Sequence, residues 1–330
     1  MQLRTEIELK PSLFKIGYAD KILLLGSCFT QNIGQWLSDQ FFQISLNPFG
    51  IQYNPLSIAK GLDRLMSDYV YTEDDLFLAN SMYNSYDFHS NFSSENVEET
   101  LKRMNTSRIE GSKSLRESSI MMVTFGTAWV YELAASREIV NNCHKQHPKS
   151  FNRYRLSVDE IVDVWSNIIS QKVNDSNDFK FIFTVSPIRH IKDSLHGNQL
   201  SKSTLLLAID HLLDLFPENV FYFPSYEILL DDLRDYRFYD EDMVHPSSVA
   251  VKYIQEVFAS HYFNKETSEL YSQMTKIRQA INHRPKTPYS EEYKRFLTQN
   301  IDKLQSIQNK YPYFRIDKIT QIFEDKIINQ

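Results

Sequence analysis

The 330 residues include only 8 Gly, where average usage near 7% would give roughly 23, alongside 42% hydrophobic and 24% charged residues. These proportions exclude disordered, collagen-like and linker-like chains and allow a sizeable core, in one large α/β domain or two smaller ones. A net charge of -6 supplies no global basic field, so nucleic acid is not an expected partner.

Along the chain, Lys21 to Leu25 (KILLL) is a continuous apolar run closed by Gly26-Ser27, which predicts a buried strand. Helical spacing of Ile33, Trp36 and Leu37 follows from Thr30 onward. Further strands are predicted at Phe41 to Leu46, Ser119 to Phe125, Phe179 to Val185 and Asn219 to Phe223, each ended by a turn signal. Between them lie helical patterns at about 55–66, 157–171, 202–216 and 246–263. This alternation implies βαβ units and a mostly parallel sheet covered on both faces, with ligands beyond the carboxyl ends of the strands.

Two stretches depart from the alternation. Residues of about 67–118 read as an insertion with one helix, Glu95 to Met104, and the tail from about Glu266 reads as charged helices broken at Arg284-Pro285 and Tyr311-Pro312. The expected organisation is a domain over 1–263 and a helical extension over 264–330 that packs on it or caps it. Cys28 and Cys143 form no disulfide framework and suit a reducing compartment. The stretch MQLRTEIELKPSLFKIGYADK has no apolar signal core, and no run reaches the ~18 apolar residues of a spanning helix, so a cytoplasmic protein with no membrane partner is expected.

Gly26-Ser27-Cys28-Phe29 is the sharpest local feature. A serine between a strand and the first turn of a helix places its hydroxyl among amides carrying partial positive charge, although on this motif alone helix capping comes ahead of a nucleophilic role. Late in the chain, Asp242-Met243-Val244-His245-Pro246 can bring a carboxylate to an imidazole and fix its tautomer within one short loop. Ser27 lacks a nearby base and His245 lacks a nucleophile; each would supply what the other needs. Cys28 reads as a small buried hydrophobe facing inward. Cys143-His144 and His147 read as a polar loop, since three close ligands without a fourth are weak grounds for zinc.

The blocks GSCFTQNIGQWL and NPFGIQYNPLSI, then VTFGTAWVYE, VSPIRH and DMVHP, resemble the GSCFA family, a branch of the SGNH (GDSL-like) hydrolase superfamily, over about residues 20–260. The resemblance implies a three-layer, flavodoxin-like α/β fold with a mostly parallel five-stranded sheet. It also implies Ser27 as nucleophile, with Asp242 and His245 on the terminal loop, and chemistry that needs no metal or other cofactor. The oxyanion donors it implies are the Ser27 amide and Gly50, which matches the family glycine by position. Where a G-x-N-D block would stand the sequence has Gly126-Thr127-Ala128-Trp129, so Thr127, an amide of its loop, Asn47 and Asn54 are the alternatives for the third donor. Asn47, Asn54, Trp129, Tyr131, Arg189 and His190 are expected to contact substrate, a small-molecule or carbohydrate-like acyl ester. The implied activity is ester hydrolysis, with acyl transfer to another alcohol or a non-catalytic binding role as the alternatives.

Overall fold

A computed structural model describes residues 4–328. Its central sheet has five strands in the order β10-β9-β5-β1-β2: β1 (Lys21–Gly26), β2 (Gln43–Leu46), β5 (Ile120–Phe125), β9 (Lys180–Val185) and β10 (Val220–Tyr222). β1 pairs with β5, β5 with β9 and β9 with β10, all in parallel, with Gly26 in register with Thr124 and Thr124 with Thr184. All six residues of β5 are buried. A parallel sheet covered on both faces demands such a continuous apolar run, which is why β1, β5 and β9 are legible in the sequence.

One face carries Leu23, Leu25, Met121, Val123, Phe125, Phe181, Phe183 and Val185, alternating as the pleat requires. Residues of α2 (Pro55–Met66), α3 (Val97–Glu117), α4 (Val158–Asp175) and α5 (Ser194–Leu215) complete that core. Trp165 of α4 stacks edge-on against Phe125 and Phe183 and donates its indole N–H to the Pro55 carbonyl at 3.2 Å. On the other face Ile22, Leu24, Ile120, Met122 and Ile182 are equally buried. Phe223, just after β10, packs edge-on against Phe258 of α7 (Ser248–Tyr262), while a short α6 (Ser225–Glu227) runs into a π-helical turn over Ile228–Leu233.

Three differences from the sequence reading have physical causes. α1 (Cys28–Asp39) begins directly after Ser27, two residues earlier than the apolar spacing suggested. The second strand starts at Gln43, because Phe41 takes a left-handed φ of 65° and cannot extend it. Helix α3 is 21 residues long and carries on well past Met104; its buried face there is Arg108, Gly111, Ser112 and Leu115, mostly polar, so apolar periodicity stops too early. Gly111 lets this helix approach α2 and the loop after β2, since a Cβ would stand 2.8 Å from both Leu65 and Pro48 side chains.

Two small antiparallel sheets escaped the sequence reading. One is the hairpin β3 (Phe77–Ala79) with β4 (Met82–Asn84); the other comprises β6 (Trp129–Leu133), β7 (Ile139–Val140) and β8 (Phe151–Arg155), in the order β7-β6-β8. Their strands are short and half-exposed, which leaves no apolar run to detect.

Two compact units divide the chain. Among the described residues, the first comprises 4–10, Lys21–Gln35 and Ile44–Phe258; the second comprises Pro11–Asp20, Trp36–Gln43 and 259–328. In the second unit, Tyr18 stacks on Phe42 at 4.0 Å and meets Phe314 edge-on, and Phe42 stacks on Phe263. Its helices α8 (Lys265–Asn282), α9 (Glu291–Lys310) and α10 (Asp317–Ile328) end and restart at the two X-Pro positions noted in the sequence. No helix among the described residues is long and apolar enough to cross a membrane.

Candidate active site

The end of β1 is built from a glycine and a clamp. Gly26 has φ 136°, and a Cβ there would overlap the Thr124 carbonyl and lie 2.9 Å from Thr30 Oγ1. Its N–H donates to Asn47 Oδ1 at 2.9 Å, while its carbonyl accepts from the Gln52 N–H at 3.0 Å. Asn47 is itself held by donating its backbone N–H to the Leu24 carbonyl (2.9 Å) and its side-chain amide to Gln31 Oε1 (3.3 Å). The loop after β2 therefore locks the turn that presents Ser27. Ser27 Oγ accepts the Phe29 N–H at 3.3 Å, the capping arrangement anticipated for a serine at this place.

The second loop is equally well determined. Asp242 Oδ1 accepts the backbone N–H groups of Val244 and His245, both at 2.9 Å, and Oδ2 lies 2.6 Å from His245 Nδ1. Asp240 donates its N–H to the His245 carbonyl at 2.8 Å, and Met243 takes φ 57° to close the turn. The Asp242 carboxyl is pushed down to about 2, first by the His245 N–H and then by its imidazole. An ionised Asp242 holds the proton of a neutral imidazole on Nδ1 and leaves Nε2 as the acceptor. Ser27 and His245 line one cleft of about 710 Å³, at the carboxyl edge of the sheet. Among the described residues no hydrogen bond joins them, and His245 is exposed.

Three assignments made from sequence are corrected by geometry. Gly50 donates its N–H to the Asn47 carbonyl at 2.7 Å, and its φ of 74° serves a tight turn against His89, so this amide is not available to an oxyanion. The Thr127 N–H goes to the Tyr53 carbonyl at 3.0 Å; its hydroxyl accepts the Trp129 N–H and bonds Ser201 Oγ, both at 3.1 Å. Asn47 belongs to the clamp behind Ser27 and does not line the cleft. Asn54 does line it. Its Oδ1 caps α2 by accepting the Ser57 N–H at 2.8 Å and its Nδ2 donates to Ser57 Oγ at 2.9 Å, which occupies one of two amide hydrogens.

Trp129, Tyr131, Arg189 and His190 all reach the cleft. The first two come from β6, so the small sheet missed in the sequence forms a wall of the site. Arg153 of β8 lies 4.6 Å over the Trp129 ring and 5.2 Å over Tyr131, paired with Asp193. Arg189 donates Nε to Tyr239 Oη at 3.2 Å, and its backbone N–H bonds the Val244 carbonyl at 3.4 Å, linking this wall to the His245 loop. Burial, assisted by nearby Lys202, lowers the His190 imidazole to about 4 and keeps it neutral. Cys28 also faces the cleft, with Sγ 3.5 Å from Tyr53 Oη, contrary to the inward orientation expected. Cys143, His144 and His147 do not converge: His144 Nε2 bonds the Ser85 carbonyl and His147 Nδ1 accepts the Lys149 N–H.

Lys202 was not anticipated. Buried to 1% exposure, it donates Nζ to the carbonyls of Gly126 (2.7 Å) and Ser186 (2.8 Å), tying together the loops that follow β5 and β9. The available signal is a lysine three residues before Leu205 on the apolar face of α5. Burial lowers its ammonium from 10.5 to about 7. The unfolded chain then holds this proton to higher pH than the folded one, so Lys202 makes stability rise between about 7 and 10.5. We expect the urea midpoint to climb from pH 7 to 9 more steeply in the wild type than in Lys202→Met, and equal slopes would refute the assignment.

A family model described as the GSCFA family matches residues 21–258, and a second, described as the GSCFA domain protein C-terminal domain, matches residues 274–329. The chain belongs to the GSCFA family. The Ser27 turn and the Asp242-His245 loop both fall within the first match. No curated protein is similar enough to the chain to count as a match.

Proposed function

We propose that this GSCFA protein is a serine esterase of the SGNH type, cleaving an acyl ester through a Ser27, His245 and Asp242 triad. The observation that carries this reading is an imidazole already oriented by a carboxylate at 2.6 Å in the same cleft as a serine at the N-terminus of a 12-residue helix. His245 Nε2 takes the Ser27 proton as Oγ attacks the acyl carbon, then returns it to the leaving alcohol. Water repeats the sequence on the acyl-enzyme, releasing the acid and restoring Ser27. Contacts between catalytic groups often tighten only in the substrate complex, so closure of the exposed His245 onto Ser27 is assigned to substrate binding. The oxyanion falls to the Ser27 amide, at the start of α1, and to the second amide hydrogen of Asn54.

A fluorophosphonate probe followed by peptide mass spectrometry tests this directly. Label is expected on Ser27 in the wild type, with none there in Ser27→Ala and sharply slower labelling in His245→Ala. Label on Cys28 would transfer the nucleophile to the neighbouring thiol, which also faces the cleft. An unlabelled protein that turns over no p-nitrophenyl ester would overturn the esterase reading.

A further inference from the structure

The cleft carries a charge opposite to that of the chain. The protein has a net charge of -6, yet Lys145, Arg153, Arg189 and Lys192 line this site, and among the described lining residues Asp193 is the one carboxylate, with Asp242 set behind His245 and bonded to it. Asp193 is taken by Arg153. The partners of the others are aromatic: Lys192 Nζ donates to Tyr131 Oη at 2.6 Å, and Arg189 bonds Tyr239 Oη while lying 4.1 Å over its ring. Among the described residues neither has a carboxylate partner. Lys192 also sits 5.2 Å over the Tyr131 ring, with Arg153 at the same distance, so two cations flank one tyrosine on the wall formed by β6.

Phenol and ring contacts hold these side chains in place without neutralising them, which leaves their charge available to a ligand. A cleft with one sign of charge and low-dielectric walls concentrates ligands of the opposite sign. Arg189 adds a positional argument, because its backbone is bonded to the loop that carries His245.

We propose that the ligand of this cleft is anionic, an ester bearing a carboxylate or phosphate that Lys192 and Arg189 hold while its ring or chain rests on Tyr131 and Trp129. The reaction part of this statement rests on the esterase reading above; the charge selectivity does not.

Two experiments separate them. With p-nitrophenyl glutarate, p-nitrophenyl butyrate and the p-nitrophenyl ester of 4-(trimethylammonio)butyrate, kcat/KM should favour the anionic ester over the neutral one by about tenfold or more, the scale of one charge-assisted contact. The cationic ester should be poorest, and the preference should shrink as salt rises from 20 to 500 mM. Lys192→Glu should abolish the anionic preference and Arg189→Gln should reduce it. A wild-type ratio near one, or a ratio that neither substitution moves, overturns the proposal. Independently of turnover, calorimetry on Ser27→Ala should detect glucuronate or glucose 6-phosphate and not glucose, which also tells carboxylate from phosphate. Loss of all turnover with glucuronate or glucose 6-phosphate still bound would sink the esterase reading alone; equal binding of glucose would sink the charge selectivity alone.

Discussion

Ser27→Ala is expected to lower kcat/KM for p-nitrophenyl acetate by about 10⁶-fold, the scale on which removal of a triad nucleophile lowers kcat elsewhere. The loss is chemical because the serine has little structural duty. Its hydroxyl caps one amide, Phe29 N–H, a contact whose removal costs about 1 kcal/mol. The clamp that shapes the turn, from Gly26 to Asn47 and Gln52, uses backbone and neighbouring atoms that the substitution leaves intact. A thermal melt should therefore shift only slightly while activity disappears. His245→Ala should cost a similar factor, and the double variant no more than either single one, because residues that act on one proton transfer are not additive. A loss below tenfold in Ser27→Ala would remove this residue from the chemistry.

Gly26→Ala is expected to be the most damaging single-methyl change to the fold. Two costs combine at this position. Alanine must adopt φ 136°, which L side chains rarely do, and its Cβ must displace the Thr124 carbonyl of the adjoining parallel strand. Backbone strain of ~1–3 kcal/mol and overpacking of ~1–3 kcal/mol give a total of about 2–6 kcal/mol, read as a drop in the urea midpoint. Gly34→Ala is the matching control. The nearest atoms to its Cβ would belong to the Leu46 side chain, Cδ1 first, and not to backbone, and alanine is the better helix former within α1, so a smaller loss is expected. Equal losses at the two positions would show that strain at the β1 turn is not the cause. Any Gly26→Ala protein that still folds should also lose activity, since a turn that opens at Gly26 carries Ser27 with it.

How far the sequence reveals this protein depends on how local the physics is. The central strands β1, β5 and β9 were legible because burial on both faces leaves an unbroken apolar run, as in Ile120–Phe125. Helix α3 was cut short because its buried side after Met104 is polar, satisfied by long-range bonds such as Arg108 Nη1 to the Ser67 carbonyl and Ser112 Oγ to the Leu65 carbonyl. The β6-β7-β8 wall was invisible for a related reason: its strands are short, and only Val130 and Val140 are buried while the rest of the sheet is half-buried or exposed.

The sequence alone determined the strand that ends at Gly26, the placement of Ser27 in a turn, and the Asp242-His245 loop, because each rests on residues within a few positions of one another. Only the tertiary structure decided which polar groups remain for a ligand. An amide or carbonyl has no identity in the sequence: the N–H groups of Gly50 and Thr127 were spent on the carbonyls of Asn47 and Tyr53, and Lys202 was spent on those of Gly126 and Ser186. Buried polar groups pair with whatever the fold brings near them. The chain settles the identity of the chemical groups, whereas long-range packing settles which of them face the cleft.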